Sequence, residues 1–159
     1  MISRDMLKEI LLQQRRRVEE AQGADFVARE KLEELRDFVG LKHCVVITGA
    51  RRCGKSVFLS QIISRFFGEY YYVNFEDERL ALFGLNDFNA LHEVCRELFG
   101  EAKTFFLDEV QNIVGWEKWV RRMYDGNFKF FITGSNANLL SKELATLLTG
   151  RHLQFSLYP

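Results

Sequence analysis

The sequence predicts a three-layer α/β fold, in which a mostly parallel sheet of five strands is covered by helices on both faces. Three observations carry this expectation. Short runs rich in aromatic and β-branched residues alternate with longer stretches whose apolar residues recur at helical spacing. Glycines at 23, 40, 100, 126 and 150 close the helical stretches. The polar residues that stand out sit at the carboxyl ends of the strand runs, where parallel sheets bind ligands.

Composition bounds the answer. The chain has 159 residues, 47% of them hydrophobic and 28% charged, which suits one soluble domain with a sizeable core. Its formal net charge is zero, so a broad electrostatic grip on nucleic acid is not expected, although a local patch is compatible. Cys44, Cys53 and Cys95 are odd in number and form no C-x-x-C pair, which argues against a disulfide framework or a zinc site and for a reducing cytosol. No apolar run approaches membrane-spanning length, and the N-terminus lacks the apolar stretch of a signal peptide. The expected location is cytoplasmic, without a membrane partner.

In chain order, Ser3 to about Ala21 reads as a helix with Ile2, Met6, Ile10 and Leu11 on one face. It forms a helical extension over residues 1–24, ahead of a core domain over 25–159. Arg15, Arg16 and Arg17 are followed at once by Glu19 and Glu20, so a solvated face with local ion pairs is preferred to a nucleic-acid contact. A second helix, about Phe26 to Phe38, turns Leu32, Leu35 and Val39 inward. The first strand is His43 to Thr48, and a helix begins near Gly54. Tyr70 to Phe75 is the second strand, followed by a charged exit at Glu76, Asp77, Glu78 and Arg79. Asn86 or Asp87 can cap a helix that runs to about Phe99. Lys103 to Leu107, Phe128 to Thr133 and His152 to Leu157 are the remaining strands. Helices over Trp116 to Tyr124 and Asn138 to Leu148 lie between them.

Between the first strand and its helix stands Gly49-Ala50-Arg51-Arg52-Cys53-Gly54-Lys55-Ser56, which satisfies the phosphate-binding pattern G-x-x-x-x-G-K-[ST] at every fixed position. Strand, glycine loop and helix form the arrangement of a P-loop. Gly49 and Gly54 permit backbone angles that let the loop wrap a phosphate, with its N–H groups turned inward as an anion nest. The helix opening through Lys55, Ser56 and Val57 adds its positive end. Lys55 is expected to reach the β and γ phosphates, serving the anion rather than the core, and the Ser56 hydroxyl to ligate Mg²⁺. One of Arg51 and Arg52 can face phosphate. The alternative is an ordinary glycine turn.

The apolar run Thr104-Phe105-Phe106-Leu107 leads straight into Asp108 and Glu109. Behind a phosphate loop, Asp108 is the expected metal partner of Ser56, and Glu109 is placed to orient and deprotonate a water. The strand ending in Thr133, Gly134, Ser135 and Asn136 offers hydroxyl and amide groups that can hold that water or sense the γ-phosphate; the same residues also suit a turn with a helix cap. Asn74 either bonds Glu109 or serves as a turn residue. His43, His92 and His152 are scattered without metal-ligand spacing, and no Ser-His-Asp or Cys-His grouping is present.

These residues together resemble the ATPase core of the AAA-type superfamily, and more narrowly a family of prokaryotic, often archaeal, ATPases. The match runs through Ile47 to Ser56, Tyr72 to Asp77, Phe106 to Gln111 with Trp116 and Glu117, Ile132 to Asn136, and Gly150 with Arg151. It covers roughly residue 25 to the end. The resemblance implies a sheet ordered five-one-four-three-two and hydrolysis of ATP with Mg²⁺. It implies that Ser135 or Asn136 is the first sensor, Asn74 a glutamate switch, and Arg151 an arginine finger acting in trans within a homo-oligomer. Members usually continue into a lid, a winged helix or a nuclease-like region. The chain is therefore expected to be the N-terminal part of a longer protein, with any DNA or protein client engaged through regions beyond Pro159. Two rival readings stay open: a nucleotide-gated interaction module with negligible turnover alone, and a small-molecule kinase.

Overall fold

The computed structural model describes residues 1–21, 29–50, 54–135, 142 and 152–157. They include the α-helices and strands α1 (Arg4–Ala21), α2 (Arg29–Val39), β1 (Cys44–Thr48), α3 (Lys55–Phe66), β2 (Tyr71–Asn74), α4 (Phe88–Phe99), β3 (Thr104–Asp108), α5 (Trp116–Asp125), β4 (Lys129–Gly134) and β5 (His152–Ser156), in that order, with short 3-10 turns between some of them. The strands form one sheet in the order β2-β3-β4-β1-β5. Every pairing is parallel. This is the expected order, read from the opposite edge. The helix expected over Asn138 to Leu148 lies outside the described residues, apart from Lys142.

The inner strands β1, β3 and β4 are mostly apolar because both faces of the sheet are covered there, whereas the edge strand β5 stays partly exposed. Alternate residues feed two separate cores. Val46, Tyr71, Val73, Phe105, Leu107, Phe130 and Ile132 pack with side chains of α1, α4 and α5. Val45, Ile47, Tyr72, Phe106 and Phe131 pack with α3 and with Leu35 of α2. The register pairs Phe105 with Phe130 and Phe106 with Phe131. Consecutive phenylalanines therefore stack on opposite faces, at 5.4 Å and 11° on one and 4.7 Å and 7° on the other. Each buried ring contributes roughly 1.5–3 kcal/mol of transfer free energy.

Helix α1 buries Leu7, Ile10, Leu11, Gln14 and Val18, which follow the helical period. Met6, expected on that face, stands 45% exposed because it lies one residue, about 100°, from Leu7, which fills the position. Gln14 donates from Nε2 to the Asn74 carbonyl at 3.0 Å and accepts from the Asn74 N–H at 2.9 Å. Arg15 donates to the Tyr70 carbonyl at 2.8 Å and lies over the rings of Tyr70 and Phe99 at 3.7 and 4.4 Å. The first arginine of the basic run is thus a packing residue, while Arg16 and Arg17 are exposed. Asp87 stands at the N-cap position of α4, as expected, but its side chain makes no capping bond to the helix; it accepts from the Gly84 N–H at 2.9 Å and shapes the turn that precedes α4. No helix of the described residues is long and apolar enough to cross a membrane.

Candidate active site

The carboxyl ends of β1, β3 and β4 meet the first turn of α3. Gly54 opens that turn with φ +91°, a left-handed conformation that side chains rarely adopt. Its carbonyl accepts the first helical bond from Phe58 at 2.9 Å, so the N–H groups ahead of Phe58 have no carbonyl partner within the helix.

Lys55 is 4% exposed. Its Nζ donates to the carbonyls of Gly49 at 2.8 Å and Ala50 at 3.0 Å, and lies 3.2 Å from Glu109 Oε1. In this arrangement the lysine braces the loop, a structural task beyond service to an anion. Ser56 Oγ donates to Asp108 Oδ2 at 2.6 Å. The same oxygen accepts from the Tyr72 hydroxyl at 2.7 Å, and Oδ1 accepts from Thr133 Oγ1 at 2.5 Å. Burial, and after it the Asp108 carboxylate alongside, hold the Tyr72 phenol well above its ordinary pKa, so it serves as a donor.

Glu109 follows β3 in a left-handed conformation, φ 55° and ψ 46°. For a residue with a Cβ this costs roughly 1–2 kcal/mol. The backbone N–H of Glu109 donates to Thr133 Oγ1 at 3.0 Å, so one hydroxyl touches both acidic residues. Oε2 of Glu109 accepts from Gln111 Nε2 at 2.6 Å, from Ser135 N at 3.2 Å and from Ser135 Oγ at 3.1 Å. Burial pushes the Glu109 carboxyl up; the bonds from Gln111, Lys55 and Ser135 and the lysine charge together outweigh it, leaving the pKa lowered.

The structure thus brings Lys55, Ser56, Asp108, Glu109 and Ser135 together. Arg51, Arg52, Cys53, Asn136 and Arg151 lie outside the described residues. Asn74 stands at the end of β2, where its side-chain oxygen accepts from the Glu76 N–H at 2.9 Å, the turn contact rather than a bond to Glu109. Gln111 holds Glu109 in its place. Three partners escaped the sequence reading. Gln111 lay within the motif that carries the resemblance, two residues beyond Glu109. Thr133 was visible only as one hydroxyl among several at a strand end. Tyr72 was indistinguishable from Tyr70 and Tyr71.

The donor set suits a hard divalent cation. A hydroxyl and a carboxylate share one hydrogen bond at the first turn of α3, and Mg²⁺ is typically held by one or two protein oxygens together with substrate phosphates. Among the described residues no cluster of three or more His, Cys, Asp or Glu side chains offers a separate metal cage.

Comparison with known proteins bears on the family and the fold. The sequence model of the AAA domain family matches residues 41–159. An uncharacterized protein of Methanocaldococcus jannaschii is 46% identical over 115 residues, covering 72% of this chain and 26% of that protein. An uncharacterized protein of Haemophilus influenzae is 39% identical over 145 residues, covering 84% and 36%. The chain therefore spans between a quarter and about a third of the length of these curated relatives. Among solved structures, the Aeropyrum pernix ORC1 protein in complex with DNA superposes with a TM-score of 0.55 at 11% identity, over 87% of this chain and 48% of that one. Caenorhabditis elegans PCH-2 gives 0.50 at 12% identity, over 89% and 41%. At such identities the structural likeness speaks for the fold alone. The family match spans the glycine loop, the acidic strand end and the described sheet, and on that ground the chain belongs to the AAA domain family.

Proposed function

We propose that the chain binds ATP with Mg²⁺ and hydrolyses the β–γ bond. The observation that carries this reading is the convergence of Lys55 with Glu109 and of Ser56 with Asp108 at the carboxyl ends of adjacent strands and the start of α3. Bound Mg²⁺ would neutralise charge on the phosphates and orient them. Ser56 and Asp108 are the residues to hold it. The loop from Gly49 to Gly54, with the N–H groups of Lys55, Ser56 and Val57, cradles the phosphates. Lys55 exchanges its contact with Glu109 for phosphate oxygens. Glu109, ionised by the same surroundings that lower its pKa, orients a water and accepts its proton. Ser135 stands beside Glu109 Oε2 and can hold that water or register the γ-phosphate.

A second reading, a nucleotide-gated module with little turnover of its own, is favoured by one observation. Both oxygens of Glu109 are already engaged, by Lys55 on one side and by Gln111 and Ser135 on the other. A base so occupied works slowly until its partners move. The trans role of Arg151 and a homo-oligomer follow from the family resemblance. A DNA or protein client is assigned to regions outside this chain. The neighbour solved with DNA makes DNA one candidate.

The test measures phosphate release from ATP with Mg²⁺ for the parent and for Glu109→Gln. The amide keeps the shape and loses the base, so ATP binding should persist while turnover falls by roughly 10²–10⁴-fold. Equal turnover would remove Glu109 from the reaction. Transfer to an added alcohol in place of phosphate release would favour the kinase reading.

A further inference from the structure

Three hydroxyls from three different elements grip one carboxylate. Ser56 of α3 and Tyr72 of β2 both donate to Asp108 Oδ2, at 2.6 and 2.7 Å, and Thr133 of β4 donates to Oδ1. An ionised carboxylate has about four acceptor positions, and these contacts occupy three of them. Donors at both oxygens prevent the group from turning about its bond, so Oδ2 stays opposite Ser56. A serine hydroxyl that gives its proton to Oδ2 leaves its own lone pairs free. Tyr72 has no freedom to serve elsewhere: its ring is 7% exposed and packed in the core beneath α3. Its strand neighbours put their hydroxyls to other use or to none in the site. Tyr71 donates to the Gly100 carbonyl on the opposite face, and the Tyr70 ring lies under Arg15.

We propose that Tyr72 is a positioning residue of the metal site: by holding Asp108 Oδ2 it fixes the acceptor of the Ser56 proton and keeps the Ser56 oxygen presented to a divalent cation. The proposal rests on the ATP–Mg²⁺ reading above. It differs from a merely structural role for a buried phenol, because it ties the hydroxyl to metal affinity and not to nucleotide affinity or to folding. Partners that orient metal ligands from outside the coordination shell typically account for 10–100-fold in affinity.

The test uses Mn²⁺ as the probe, with a non-hydrolysable ATP analogue, and reads free Mn²⁺ by electron paramagnetic resonance. Tyr72→Phe keeps the ring and removes the hydroxyl. It should weaken Mn²⁺ uptake into the analogue complex by about 10–100-fold. Affinity for the analogue in EDTA should stay within roughly twofold, well under the factor of ten that 1.4 kcal/mol represents. Tyr70→Phe is the control and should change neither. Unchanged Mn²⁺ affinity in Tyr72→Phe overturns the proposal, as does an equal loss with and without metal. Should the parent bind the analogue but take up no Mn²⁺, the metal reading fails and the proposal with it. A parent that binds no analogue overturns the nucleotide reading first. Should Tyr72→Phe not fold, the parent labelled with 3-fluorotyrosine at its five tyrosines provides the second arm. One ¹⁹F resonance should shift when Mg²⁺ joins the analogue complex, and a spectrum in which none moves overturns the proposal.

Discussion

Lys55 Nζ stands 3.2 Å from Glu109 Oε1, and both side chains are almost wholly removed from solvent. Each is the other's counterion. Under the proposed function, a phosphate arriving at Lys55 would compete with the carboxylate for the same charge, so that binding the anion and freeing Glu109 would be one event.

This pairing changes what Lys55→Ala should do. ATP affinity, followed by calorimetric titration, should fall by roughly 100-fold, the upper range for a lost bond to a charged group. The ligand-free protein should also melt at a lower temperature, because a buried carboxylate loses its partner and the Gly49 and Ala50 carbonyls lose a donor. An unchanged affinity would remove the phosphate role of the loop.

Gln111→Leu should alter the pH dependence of turnover. The Gln111 amide is the strongest of the influences that lower the Glu109 carboxyl against its burial. Losing it moves the carboxyl upward. Because a base acts only when ionised, the acid limb of the pH–rate profile should shift to higher pH. The stability from the Glu109 contacts follows the same sign: it is present above the unfolded carboxyl range and lost as pH falls through the folded value. With Gln111→Leu that loss should begin at higher pH in acid melts. A limb that does not move would show that Gln111 does not hold the base.

Thiol labelling should report on one site. Burial pushes the Cys44 and Cys95 thiols up to about 12, so both resist alkylation. Cys53 lies within the loop sequence, next to the glycine that opens α3. An alkylating reagent should modify one cysteine in the ligand-free protein, and ATP with Mg²⁺ should protect it. Equal labelling in both states, read by mass spectrometry of the peptides, would count against a nucleotide over this loop.

Arg151 is tested by mixing chains. Inactive Glu109→Gln chains keep Arg151, and Arg151→Ala chains keep the base. If the arginine acts across an interface, the mixture should hydrolyse ATP faster than either parent variant. A trans arginine can raise turnover by roughly 10³-fold or more. No gain in any mixture, at concentrations where the parent protein assembles, dismisses the trans role.

Much of the sheet was legible because its signals are local and repeat. Runs such as Phe105-Phe106-Leu107 and Phe130-Phe131-Ile132 are too apolar to be anything but doubly covered strands, and their order in the chain alternates with helices. The acidic pair was legible because Asp108 and Glu109 are contiguous at the end of an apolar run. The hydrogen-bond partners were not, because they depend on which residues the register places side by side. Thr133 meets Asp108 across β3 and β4, and Tyr72 meets it across β2 and β3, at separations of 25 and 36 residues that no spacing rule reaches. Its place at a strand end makes Asn74 either a partner of Glu109 or a turn residue, and nothing in the sequence points to Gln111. The turn at Glu109, with its positive φ, returns the chain so that Gln111, two residues on, reaches the carboxylate first.

Gln14 and Arg15, adjacent on α1, grasp backbone groups at opposite ends of the outermost strand. Parallel pairing sends Phe75 toward β3 and so turns Asn74 and Tyr70 outward, where a further strand would bind. The helix therefore acts as a guard against strand addition, taking with side chains the positions that an intruding chain would need. A fragment beginning at residue 41, where the family match starts, would expose that rim together with the apolar patch that Leu7, Ile10 and Leu11 cover. Such a fragment would carry every residue of the described site and still be prone to aggregate, so solubility and chemistry in this chain reside on different sides of residue 41.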